Sequence, residues 1–219
     1  MVPGVQVVAE VAIVAVPILV AIVFHEVAHG AVAYACGDAT AARAGRLTLN
    51  PLPHIDPFGT VILPGLLLLA PYLLGTRAFV FGYARPVPVD FRQLGHRRRD
   101  AVLVALAGPV TNLVLATASA FALGLLPPPQ AATGAMNLLR DAAAASLSIN
   151  CVLAVFNLLP LPPLDGGRVL TALLPAGVAG AFARLEAVGL VVVLLVVMNS
   201  NLVGRLVHPL MAFLLRVVR

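Results

Sequence analysis

Residues 21–34 read AIVFHEVAHGAVAY, with His25 and His29 four positions apart and Glu26 between them. On an α-helix four residues make one turn plus about 40°, so both imidazoles leave one face, where they can share a Zn²⁺ ion. Glu26 projects close to that face and is placed to take a proton from water held on the metal. The setting is unusual for such a motif: from Val5 to Ala35 the only charged side chains are Glu10 and Glu26. A stretch of that length and polarity can cross a bilayer. A lone histidine on an apolar helix is ordinarily a hydrogen-bonded core residue. Two histidines and a glutamate in one apolar turn fit that poorly, because each buried unpaired polar group costs about 2 to 7 kcal/mol. Ionisable residues within a span instead point to function.

The composition agrees with a membrane setting. Of 219 residues 61% are hydrophobic and 11% charged, and mean hydropathy is +1.02. These values exclude an ordinary soluble domain and leave room for about five or six spans. All the basic residues are arginine, net charge is +5, and no interleaved basic and aromatic surface of the kind nucleic acid requires is present. The charge reports membrane orientation instead. Cys36 and Cys151 are too few for a disulfide framework. The first span lacks a basic start and a small-residue cleavage site, so it reads as mature structure rather than a signal peptide. A single transmembrane domain over residues 1–219 is expected.

Past the first span the character changes. Gly37 ends the helix, residues 43–49 alternate in strand fashion, and three prolines close the segment before residue 58. This reads as a short hairpin or re-entrant loop beside the histidines. His54 there is a lesser candidate for a metal or substrate contact, since Pro-x-x-His in a loop is more often structural. Residues 59–75 are apolar but short and broken by Pro64, Gly65 and Pro71, which suits a thin span or a re-entrant hairpin. Arg77, Arg85, Arg92, Arg97, Arg98 and Arg99 follow, and the positive-inside rule places them on the cytoplasmic side. To bring them there, the extended piece at 78–89 is expected to re-enter the membrane and line a cleft. Residues 101–126 form a clear span containing Gly108 and Asn112; the asparagine bonds a neighbouring helix or points to the metal site. Residues 138–159 return inward and lead into Asn157-Leu-Leu-Pro-Leu-Pro-Pro-Leu-Asp165-Gly-Gly-Arg168, whose prolines must break the helix and present Asp165 from a turn. A short helix at 169–174, a span at 182–198 and a final span or surface helix at 202–219 complete the chain.

Two histidines leave a catalytic zinc one protein ligand short. Glu10, Asp38, Asp56, Asp90, Asp100 and Asp165 are the candidates. Asp165 stands out because it ends a span running in the same direction as the first, at a similar depth. It could equally cap the next helix or pair with Arg168.

Three motifs together, His25-Glu26-Val27-Ala28-His29-Gly30, Gly108-Pro109-x-x-Asn112 and Asn157-x-x-Pro160 ending in Leu164-Asp165-Gly166, resemble the site-2 protease family of intramembrane zinc metalloproteases. Residues 81–89 resemble a segment of its small bacterial branch, where the aromatic is commonly Trp and the base Lys. The resemblance covers nearly the whole chain. It implies an α-helical polytopic membrane protein with a short β or re-entrant element beside the active site. It implies that His25, His29 and Asp165 bind one Zn²⁺, that Glu26 activates water, and that Asn157 helps hold an extended substrate backbone; Asn112 is expected to assist there. The substrate would be a transmembrane protein in the bilayer, cut on the cytoplasmic side of a prokaryotic membrane. No appended PDZ or CBS domain is expected. Of the rivals, a surface-acting zinc protease would need a Glu ligand on a later helix, where Glu186 alone is available without a flanking motif. A non-catalytic scaffold would be expected to lose Glu26 or a ligand. A metal transporter would need more His and carboxylates along its path.

Overall fold

Long apolar runs become long helices, and proline does not break them. The computed structural model describes residues 3–62, 66, 69, 85–128, 133–198 and 200–218. Helix α1 (Pro3–Ala35) continues through Pro17, as membrane helices allow where neighbours satisfy the freed backbone. Gly37 then turns the chain out of it with φ of 107°, a left-handed conformation suited to glycine. The short helix α2 (Thr40–Arg43), a 3₁₀ turn at Leu52–His54 and a π turn at Pro57–Ile62 follow. The expected strand alternation over 43–49 is not realised as a ladder. Residue 43 closes α2, and no strand occurs among the described residues. Side chains pin the extended run instead, as described below. Of the thin span expected at 59–75 only residues 59–62, 66 and 69 are described, and residues 78–84 of the piece at 78–89 lie outside the described residues.

Helix α3 (Arg97–Leu125) is the centre of the assembly. It packs against α4 (Gly134–Asn157), α1 and α5 (Asp165–Leu173), and α1 also meets α4. Small residues sit where the helices meet: Ala21, Ala33, Ala116, Ala120 and Ala154 are fully buried. Such residues let helix axes approach in a membrane, where no hydrophobic force separates inside from outside. Large apolar side chains face out, among them Val114, Phe121 and Leu139. Val11–Ala35, Arg97–Leu125 and Gly134–Asn157 are the helices among the described residues long and apolar enough to cross a membrane.

In the last third of the chain one expected span contains a turn. Residues 182–198 divide between α6 (Ala176–Ala183) and α7 (Glu186–Met198), with Arg184 and Leu185 turning between them. Helix α7 is described as far as Met198. Helix α8 (Ser200–Val217) buries Val207 and Leu214 against Ala116, Ala120, Leu147 and Cys151, while Arg205, His208 and Arg216 stay exposed.

Candidate metal centre

A buried polar cluster lies where α1, α3 and the start of α5 converge. His25 and His29 both project from α1 into it and are buried. Their far ring nitrogens are already committed: His25 Nδ1 lies 2.5 Å from Asn112 Oδ1, and His29 Nδ1 lies 2.6 Å from the Val104 carbonyl oxygen. A carbonyl can only accept, so His29 holds its proton on Nδ1. Asn112 donates its Nδ2 to Asn150 Oδ1 at 2.9 Å, which turns its own oxygen to His25 and makes His25 Nδ1 a donor too. In the neutral rings, the form that binds a metal, both Nε2 atoms are then bare lone pairs, and they lie 3.0 Å apart.

Asp165 completes the cluster from the other side. Its Oδ2 lies 3.2 Å from His25 Nε2 and 3.3 Å from His29 Nε2, and is buried without a hydrogen-bond donor. Three acceptor atoms with no proton among them repel one another unless a cation sits between them. Zinc at 2.0–2.2 Å from each tetrahedral ligand would space them by about 3.3 to 3.5 Å, close to the spacing found. The space itself is kept by Gly108 of α3. A Cβ there would lie 2.5 Å from His25 Nε2 and closer still to His29 Nε2. The donor set and the cradle therefore fit a metal of zinc's size and ligand preference.

Asp165 reaches this point through a folded turn. It is the first residue of α5, behind the N-cap Leu164, and its Oδ1 faces Arg168 Nη1 at 3.7 Å. The two readings of this residue thus coexist, one oxygen toward Arg168 and the other toward the histidines. Gly166 and Gly167 permit the turn, because a side chain on either would run into the backbone of residues 158–162. Among the described residues no other His, Cys, Asp or Glu trio gathers in this way. Asp38 and Asp100 instead accept backbone N–H bonds from Thr40, Asp90 and His96.

Glu26, half-buried one position after His25, accepts a 2.7 Å hydrogen bond from Val87 N–H on its Oε2. Asn112, expected at the substrate, is fully buried with its amide engaged by His25 and Asn150, so it braces a histidine rather than facing a cleft. Asn157 ends α4 and is half-buried, its Nδ2 donating to Leu153 O at 3.0 Å. His54 is buried away from the cluster, its Nε2 2.9 Å from Thr48 O, and its role is to hold the loop. Asn150 and Arg46 were not singled out from sequence. For Asn150 the signal was there, an amide in the middle of a largely apolar helix, as Asn112 is. A cavity of about 410 Å³ opens beside the Asp165 turn, lined in part by Arg97, Arg98, Pro163, Gly167 and Arg168.

Comparison with known proteins bears on this geometry. The sequence profile of "Peptidase family M50" matches residues 129–199, which hold Asn157 and Asp165. Over 183 residues the chain is 42% identical to YwhC of Bacillus subtilis (strain 168), provisionally named a zinc metalloprotease; the match covers 81% of this chain and 76% of that protein. The chain belongs to peptidase family M50. Two mycobacterial proteins named Rip2, with the same provisional description, are more distant relatives of this M50 peptidase. That of Mycolicibacterium smegmatis is 31% identical over 185 residues, covering 84% of this chain and 66% of its own length. That of Mycobacterium tuberculosis H37Rv is 32% identical over 187 residues, covering 85% and 66%. No solved structure matches the chain. The M50 peptidases are the site-2 protease family that the three motifs resemble, so family and motifs agree on a membrane metallopeptidase.

Proposed function

We propose that this M50 peptidase is an intramembrane zinc endopeptidase, with residues 1–219 acting as one membrane domain that cuts a peptide bond within or near a transmembrane segment of its substrate. The observation that supports it most is Asp165 Oδ2, buried without a donor against two bare imidazole nitrogens, inside helices long and apolar enough to span. His25, His29 and Asp165 would hold the ion. Zn²⁺ bound there supplies a Lewis acid for the scissile carbonyl and lowers the pKa of a water to about 7. Glu26 takes the proton from the attacking water and delivers it to the leaving amine. Asn112 keeps His25 in the tautomer that offers Nε2, and the Val104 carbonyl does the same for His29. Asn157, beside the Asp165 turn, receives the substrate backbone.

The substrate's scissile carbonyl is occupied while it remains helical, so the segment must unwind before it can react. No backbone N–H of residues 85–88 is free to receive a substrate strand. Pro86 and Pro88 have no N–H, Arg85 N–H goes to His54 O, Val87 N–H goes to Glu26, and the carbonyls of 85 and 86 accept from Arg46. The arginine bias favours a site that faces the cytoplasm, and cleavage there would suit the regulated release of a membrane-tethered protein.

The test compares metal content and cleavage of a transmembrane peptide by wild type, Glu26→Gln and Asp165→Asn in detergent. About one zinc per chain with cleavage in wild type, retained zinc without cleavage in Glu26→Gln, and weakened zinc in Asp165→Asn are expected. Cleavage by Glu26→Gln at the wild-type rate overturns the proposal.

A further inference from the structure

The sequence Arg85-Pro86-Val87-Pro88 contains an alternation with a consequence for Glu26. Proline has no N–H, so from 86 to 88 only Val87 can donate, and its N–H lies 2.7 Å from Glu26 Oε2. That geometry depends on where the backbone strap lies over α1, and three groups fix it. Arg85 N–H donates to His54 O at 2.9 Å. At the far end, Asp90 N–H donates to Asp38 Oδ2 at 2.7 Å. Between them the buried Arg46 guanidinium donates from Nη2 to the carbonyls of Arg85 (2.7 Å) and Pro86 (3.2 Å), and from Nη1 to Pro53 O. Arg46 itself is delivered by Gly45, whose φ of 65° turns the chain out of α2.

The strap also fits a notch on α1. Gly30, next to His29, leaves the room: a Cβ there would lie 2.8 Å from Val87 Cγ1 and 2.6 Å from Leu47 Cδ2. None of the hydrogen bonds of Arg46 goes to Glu26 or to a histidine.

From this arrangement we infer that Arg46 is a positioning residue for the base. By gripping the carbonyls on either side of the Pro86 ring nitrogen, it holds Val87 N–H on Glu26 Oε2 and leaves Oε1 for proton transfer. A glutamate has several rotatable bonds, and one strong bond from a fixed backbone donor removes most of that freedom. A single ammonium lacks the planar fork that spans three carbonyls, so lysine is not an equivalent. The inference rests on the role proposed for Glu26.

The experiment measures kcat, KM, zinc content and thermal midpoint for Arg46→Gln, Arg46→Lys, Val87→Pro, the double variant Arg46→Gln/Val87→Pro, and Glu26→Gln as a control. Arg46→Gln should keep its zinc and its KM within about twofold while kcat falls by about tenfold, the most that loss of the Val87 bond it holds can cost. Arg46→Lys should not restore it. Val87→Pro, which deletes the donor and exchanges the side chain seated at Gly30, should lower kcat about tenfold, the scale of one hydrogen bond. The double variant should be no worse than Arg46→Gln alone, because both act through one bond. A merely structural arginine would instead lose zinc or fold and multiply with Val87→Pro. Normal kcat in Arg46→Gln or Val87→Pro, or multiplied losses in the double variant, overturns the inference while leaving the proposed function intact. If Arg46→Gln does not fold, Val87→Pro decides alone: a tenfold loss of kcat supports it and an unchanged kcat overturns it. An active Glu26→Gln overturns the proposed function itself.

Discussion

At the scale of single residues, the centre is defined by where protons are not. The two histidine Nδ1 atoms face acceptors, so three unprotonated atoms meet at 3.0 to 3.3 Å. Gly108 is as necessary to this as the ligands, because its missing side chain is the volume in which an ion would lie. Gly108→Ala is therefore expected to lose zinc while the helices still form, which metal analysis of the purified variant checks; full zinc occupancy would mean that α3 does not roof the site. Asn112→Leu leaves His25 Nδ1 without its acceptor, and second-layer partners of this kind are worth about 10- to 100-fold in metal affinity. Competition with a chelator of known affinity measures that loss. The polar column extends from Asn112 through Asn150 to Ser146 and Ser119. The HExxH spacing made the two candidate ligands and the candidate base legible in sequence, because helix geometry alone puts them on one side. It did not reveal what turns each imidazole, since those partners lie 75 and 87 positions away.

At the scale of elements, the link after α1 is held by a buried carboxylate. Asp38 is fully buried. Burial pushes its carboxyl up, but hydrogen bonds from the Thr40 hydroxyl, Thr40 N–H and Asp90 N–H outweigh this and hold it below its ordinary value. A carboxylate held down in the fold contributes stability that is present above its unfolded pKa of about 3.9 and is lost as pH falls through the lower folded value. The thermal midpoint in detergent should therefore drop on acidification below about pH 4, and Asp38→Asn should lack that part of the drop. At neutral pH the same variant should be less stable by about 1 to 3 kcal/mol, because charge-assisted bonds to a buried acceptor are weakened. An unchanged acid profile in Asp38→Asn would show that the other carboxylates set it. The alternation at 43–49 meets no strand partner among the described residues, and Arg46 turns inward to bind carbonyls.

At the scale of the whole molecule, the candidate ligands bring together the first long helix and the turn that leads into α5, with α3 packed against both elements. Anything bound there and not to the unfolded chain stabilises the assembly in proportion to the logarithm of its concentration over Kd, about 4 kcal/mol at a thousandfold excess. Chelation should therefore lower the thermal midpoint and speed hydrogen exchange over residues 158–168, and added zinc should reverse both. Exchange that is the same with and without metal would disconnect the Asp165 turn from the ion. Orientation has its own test: a cysteine in place of Arg98, in a variant with Cys36 and Cys151 replaced, should react with an impermeant maleimide from the cytoplasmic side only.

Composition and periodicity by themselves determined the membrane class, the long helices at 101–126 and 138–159, and the identity of His25, Glu26 and His29, because each follows from apolar length or from the 3.6-residue repeat. Proline and glycine in the sequence also marked the turn that presents Asp165. Only the tertiary structure decided which carboxylate meets the histidines, that Asn112 serves His25, that residues 182–198 break at Arg184, and that Arg46 holds the strap over Glu26. These depend on contacts between segments far apart in the chain, which local sequence does not encode. In a bilayer the apolar surface is uniform, so helix partners are chosen by small residues and buried polar atoms whose matching appears only once the helices have packed.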